Sequence, residues 1–205
     1  YKNYMITVQS ADSIMLSDLA EEEDILATSI PNPIERFFTF LTLEVRDTEV
    51  DKAMLEMRIT LAKEDKIKGT GRSAALAKKD KSEKSAIHDN FIEVCRSLSD
   101  DLTKSAKTLC ETKYYKNTQF DVGSRIAFID ELNLNNSNFP DYLIFTLNKL
   151  NVILSESLGI NLRLAVLAKD NIHCPFDKNI NKVLNQADLV TTHQKGFYIK
   201  TYRAE

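Results

Sequence analysis

The side chains best suited to nucleophilic or metal chemistry are few in this chain: three histidines, His88, His173 and His193, and three cysteines, Cys95, Cys110 and Cys174. A nucleophilic triad needs a hydroxyl or thiol, an imidazole and an orienting carboxylate brought together in space. Only His173-Cys174-Pro175 sets an imidazole beside a thiol. Neighbouring side chains in an extended segment point to opposite faces, and no cationic cluster accompanies Cys174 to lower its thiol pKa. That tripeptide reads as a loop leading into a helix after Pro175. Histidine-based metal sites need two ligands at helical spacing or a carboxylate partner of defined geometry, and the scattered histidines supply neither. The acid pairs Asp100-Asp101 and Asp130-Glu131 are ordinary for solvated helices and strand ends. No catalytic residue, metal ligand or cofactor is therefore expected, and the chain is expected not to be an enzyme.

Composition narrows the classes further. With 5 glycines and 4 prolines in 205 residues, there is little material for a glycine-rich phosphate cradle, so no small-molecule ligand is expected. No stretch approaches the roughly 18 apolar residues that a membrane helix needs, so no membrane insertion is expected. An odd, widely spaced set of cysteines argues against a disulfide framework and for a reducing, cytoplasmic setting. The formal net charge of −3 is unevenly spread: residues 1–62 carry twelve acids against five bases, whereas residues 63–84 carry eight bases against four acids.

The elements that would hold these groups follow from periodicity. Tyr4 to Val8 alternates like a short strand, and Ser13 can cap a helix carrying Ile14, Leu16, Leu19, Ile25 and Leu26. Pro31-Asn32-Pro33 breaks any helix. Phe37, Phe38, Phe40 and Leu41 suggest a buried helix over 34–43, although aromatic content there also permits a strand. Met54, Met57, Ile59 and Leu61 mark a strand. From Ser73, one long amphipathic helix is expected, because Ile87, Phe91, Val94, Cys95, Leu98, Leu102, Ala106 and Leu109 recur every three or four residues. Beyond it lie a strand at Ile126 to Ile129, a helix from Tyr142 that Gly159 can end, and a buried strand at Asn161 to Ala168. A helix with Ile180, Val183, Leu184 and Ala187 and a closing strand at Phe197 to Tyr202 complete the chain.

The expected fold class is α+β: a small antiparallel sheet packed by long amphipathic helices, with a second α/β lobe at the C-terminal end. Three units are expected: an N-terminal strand and acidic helix over 1–30, an α-β-β-β-α-like lobe over 31–115, and a mixed α/β lobe over 116–205.

Gly69-Thr70-Gly71-Arg72-Ser73, followed by Ala77 and Lys78 at a strand-to-helix junction, resembles the double-stranded RNA-binding domain over about residues 31–100. That family folds as helix, three-stranded sheet and helix, and reads duplex RNA by backbone and shape. Here Ala74 and Ala75 stand where the family carries its phosphate-contacting lysine pair. The resemblance implies RNA contact by Arg72, Lys78, Lys79 and Lys81. A second surface is the acidic run Glu21, Glu22, Glu23 and Asp24, a candidate patch for a basic partner.

Duplex RNA binding depends on lysine and arginine neutralising phosphate, and this acidic chain offers a thin basic footprint. The leading expectation is a non-catalytic protein-binding adaptor, or a subunit of a larger assembly, of which a secretion or effector adaptor is one specific form. The alternative is a structured-RNA-binding protein that uses a degenerate double-stranded RNA-binding module.

Overall fold

A computed structural model describes residues 4–10, 38–63, 92–117, 123–135, 139–175 and 179–203. In chain order they form β1 (Tyr4–Ser10), β2 (Phe38–Asp47), β3 (Lys52–Lys63), helix α1 over 92–98, α2 (Asp100–Glu111) and α3 (Lys113–Asn117). There follow β4 (Ser124–Leu134), α4 (Phe139–Leu158), β5 (Asn161–Ala168), a 3-10 turn (Lys169–Asn171), β6 (Ile172–His173), α5 (Ile180–Gln186), β7 (Val190–Thr191) and β8 (Phe197–Thr201).

All eight strands belong to one mixed sheet in the order β1-β2-β3-β4-β5-β8-β7, with β6 paired to β4. Strands β1 to β4 pair antiparallel. β4 then runs parallel to β5 through the α4 crossover, and β8 returns antiparallel to β5. This corrects the expected architecture. The sheet is large and mixed rather than small and antiparallel, and there is no separate C-terminal lobe in it, because β3 pairs directly with β4. Hydropathy periodicity registers each strand and helix alone; the pairing of β3 with β4 across sixty intervening residues leaves no local trace.

Both faces of the sheet are covered. Leu41, Leu43 and Val45 of β2 join Leu55, Met57, Ile59 and Leu61 of β3 in a core shared with Leu143, Leu147, Leu150 and Leu154 of α4 and Val183 and Leu184 of α5. On the opposite face, Phe38, Ala62, Ile126, Phe128, Leu164 and Val166 meet Ile92 and Cys95 of α1 and Leu102, Ala106 and Leu109 of α2. Side chains alternate across a strand, so residues one apart feed different cores. The alternation shifts phase at two bulges. On β4 the first core takes Ala127 and Ile129, then Leu132 and Leu134, because Asp130 is the extra residue opposite Arg58 and Ile59. On β5, Arg163 plays the same part between Leu162 and Leu164.

Two local expectations change. Phe38 to Leu43 forms strand, not helix: Phe38 and Phe40 face one core and Leu41 and Leu43 the other, a two-sided burial that a short apolar run cannot distinguish from a helix. The long helix expected from Ser73 is broken within its described part. Ser99 adopts extended geometry (φ −164, ψ 153) and its hydroxyl accepts from the Leu102 amide at 3.0 Å, so α2 starts afresh there. A capping serine of this kind is worth about 1 kcal/mol, and the apolar stripe continues across the break because both helices lie on the same sheet face. The C-terminal elements fall where their patterns place them. Gly159, in the left-handed region at φ +66, ends α4, and the Ile160 amide bonds back to the Leu154 carbonyl at 3.2 Å.

Candidate functional site

Neither sequence-derived patch can be placed. Glu21, Glu22, Glu23 and Asp24, and Arg72, Lys78, Lys79 and Lys81, lie outside the described residues, as does His88. The described members of the other candidate groups are dispersed. His173 is exposed on β6, whereas Cys174 packs against the core. Asp100 and Asp101 sit in the exposed first turn of α2, where the helix dipole favours acids. Burial pushes the Cys95 thiol up to about 12, which disfavours the thiolate. No group of three or more His, Cys, Asp or Glu among the described residues could hold a metal ion. No described helix is long and apolar enough to cross a membrane.

Two ionisable groups, exposed Asp130 and buried Lys200, have structural partners. Asp130, at the β4 bulge, accepts a hydrogen bond from Thr60 and keeps part of its surface exposed. Desolvation on its protein side raises its pKa to about 6 against the opposing effect of Thr60. Lys200 on β8 points into the protein, 7% exposed, and its ammonium donates to Asn148 Oδ1 at 2.8 Å and to the Ala187 carbonyl at 2.7 Å. Desolvation lowers its pKa, offset in part by Asp188 at 3.8 Å. The lysine thus ties β8 to α4 and closes the C-terminus of α5.

The surface best suited to a partner lies at the other end of the sheet. β1 is its outermost strand, and among the described residues nothing pairs with its outer side. Its seven residues, Tyr-Met-Ile-Thr-Val-Gln-Ser, hold no charge and no proline, and its register with β2 has no bulge. Natural proteins blunt free edges with those devices, because an open row of N–H and C=O groups is a template for a further strand. Beside this edge, Tyr4, Ile6, Val45, Asp141, Tyr142, Phe145 and Thr146 enclose a hollow of about 310 Å³. Tyr4 and Tyr142 meet edge to face at 4.8 Å. Phe145 is 55% exposed and Tyr4 40% on its rim, and Met5, 47% exposed, stands on the other face of β1.

The hollow has polar features of one sign. Asp141 stands exposed on its wall at the first turn of α4. The Tyr4 phenol is pushed up to about 12, first by desolvation, then by Tyr142 and by the charges of Asp47 and Asp141. Thr146, fully buried, lines the same wall, and its hydroxyl has no hydrogen-bond partner among the described residues. Sequence reading found the β1 strand but not its edge position, since a strand's place in a sheet depends on partners far along the chain. No family model, curated protein or solved structure matches the chain.

Proposed function

We propose that this protein is a non-catalytic adaptor, or a subunit of a larger assembly, that binds an extended segment of a partner protein by adding it as a strand to β1. The observation that carries the reading is the uncharged, unbulged edge of β1, whose outer side no described residue pairs. Strand addition gives affinity through main-chain hydrogen bonds and specificity through pockets for alternate side chains. The adjoining hollow supplies such a pocket. Its aromatic wall and volume suit an aliphatic or aromatic side chain, and Asp141 suits a flanking lysine or arginine. The net charge of −3 favours the same basic, apolar segment over an acidic one. A cytoplasmic setting fits the three cysteines, all free.

The test is purification of the tagged protein from its native cells, in ribonuclease-treated and untreated halves, with Met5→Lys and Phe145→Asp as paired variants. Both positions are exposed, so neither change disturbs the core. A stoichiometric partner that survives ribonuclease and is lost from both variants supports strand addition at this edge. A partner retained by both variants rules this surface out. Partners that vanish on ribonuclease treatment favour the structured-RNA reading and direct attention to Arg72, Lys78, Lys79 and Lys81.

A further inference from the structure

The opposite end of the sheet carries a second hollow, of about 370 Å³ and different chemistry, lined by Lys169, Asn181, Thr191, Thr192, His193, Lys195, Gly196 and Tyr198. From this lining we infer a binding site for a small phosphate-bearing ligand, with Lys169 and Lys195 as the anion-holding groups. It is independent of the strand-addition reading.

Four features lead there. The first is charge. In a chain with 30 acids against 27 bases, this lining contains two lysines and a histidine and no carboxylate. Glu111 of α2 pairs with His193 at 3.0 Å and offsets it, which leaves the two lysines as the charged groups of the lining with no ion-pair contact among the described residues. A concave surface that gathers like charges focuses their potential on whatever enters.

The second feature is position. Lys169 directly follows the last residue of β5, a strand with parallel β4 on one side and antiparallel β8 on the other. The hollow lies where β5 ends, on its β8 side, at the point where the chain turns away to pair β6 with β4.

The third feature is rigidity. The 192–196 turn, which presents His193 and Lys195, is closed by Thr192 N–H to the Phe197 carbonyl at 3.0 Å and Phe197 N–H to the Gln194 carbonyl at 3.2 Å. The Thr192 hydroxyl donates to the Gln194 carbonyl at 2.9 Å, and the Gln194 amide lies 3.1 Å from the same hydroxyl. The Lys169 amide bonds to the Gly196 carbonyl at 2.7 Å, which holds the two lysine-bearing segments together. Gly196 has φ +85, a conformation that other side chains rarely adopt. Helix α2, more than eighty residues away in sequence, clamps the turn from outside through Thr108 Oγ1 to Gln194 Oε1 at 3.0 Å and Glu111 to His193. A turn fixed this thoroughly meets its ligand with little ordering cost.

The fourth feature is the neutral lining. Tyr198 donates to Asn181 Oδ1 at 2.7 Å, which sets the Asn181 NH2 group as the outward donor. With the hydroxyl of Thr191, it offers hydrogen bonds to a polar carbon skeleton attached to the phosphate. Lysine is a compact, rotatable charge, well matched to a phosphoryl group. The expectation that no small ligand would be bound rested on the lack of a glycine-rich loop. Here the cradle is assembled from a strand end, a hairpin turn and a helix start, with a single glycine.

The test is calorimetric titration of the full chain with inorganic pyrophosphate and with ribose 5-phosphate, at constant ionic strength set with sodium chloride. Saturable one-to-one binding is expected, weakened about tenfold by Lys169→Gln and by Lys195→Gln. Lys149→Gln, which removes one exposed positive charge from α4, should leave it unchanged. Ribose 5-phosphate should bind more tightly than inorganic phosphate titrated in the same buffer, because the polar walls hold the sugar. Absence of saturable binding overturns the assignment, as does an equal loss in Lys149→Gln, which would mean diffuse charge attraction. Lysine-dependent binding of a short RNA oligonucleotide without binding of pyrophosphate would overturn it in favour of a nucleic-acid surface.

Discussion

Thr146→Val exchanges a hydroxyl for a methyl of nearly the same shape at a fully buried position of α4. The hydroxyl has no hydrogen-bond partner among the described residues, so within that part of the protein folding strips it of water and returns no bond. That desolvation costs about 1–3 kcal/mol in protein mutational series. Threonine and valine have similar helix propensities, so the backbone contributes little to the difference. The extra methyl character must still find room, which takes back part of the gain, and the hollow beside it leaves space for adjustment. The net expectation is a protein more stable by about 1 kcal/mol, or about 2–4 °C in Tm for a chain of this size. Urea unfolding followed by far-UV circular dichroism measures it, with an unchanged m-value required for the comparison. The same change should weaken binding of a partner segment about fivefold, the equivalent of about 1 kcal/mol, if the hydroxyl is held in reserve for that segment. A Thr146→Val protein less stable than the parent by more than about 0.5 kcal/mol would show that the hydroxyl is satisfied at home, and the reasoning from an unmet group would be wrong.

Other predictions rest on Lys200, Asp130 and the thiols. Lys200→Ala should lower stability by about 2–5 kcal/mol through lost packing and two orphaned acceptors, and Lys200→Met by about 1–2 kcal/mol, since it keeps the stem; equal urea midpoints for both and for the parent would remove Lys200 from its bracing role. The raised pKa of Asp130, about 6 against an ordinary 3.8, means that the folded protein binds more protons than the unfolded chain between those values. Its stabilising contribution is complete below pH 3.8 and is lost as pH rises through 6. Asp130→Asn should therefore lack that decline, and urea midpoints with identical pH dependence in the two proteins would refute the shift. In titration with a thiol reagent, Cys110 and Cys174, half-buried, should react well before Cys95, which is fully buried with its pKa pushed up; simultaneous reaction of all three would show that the α1 face opens readily.

Local chemistry determined much of this protein's secondary structure. Alternation from Tyr4 to Val8, the apolar run at Asn161 to Ala168, and Gly159 after a helical stripe each place an element, because strand and helix periodicities are properties of a short window. Where the window was ambiguous the reading failed: Phe38 to Leu43 is buried on both faces as a strand, and two-sided burial mimics an interior helix. Ser99 was equally hidden, since the stripe of Val94, Cys95, Leu102 and Ala106 continues past the break and only the extended backbone with its cap reveals it.

Tertiary structure alone decided the architecture and both candidate surfaces. Pairing β3 with β4, and inserting β8 beside β5, turned two expected lobes into one mixed sheet. That order made β1 the outermost of the described strands and brought Phe145 of α4 to its side. It also set Lys169 beside Lys195 across a hairpin turn held by α2. Each juxtaposition joins residues that are far apart in the chain, and a hydrogen-bonded sheet register is a choice among distant partners that no residue announces locally. The sequence could state which strands have apolar faces. Only the folded chain could state which of the described strands stands outermost.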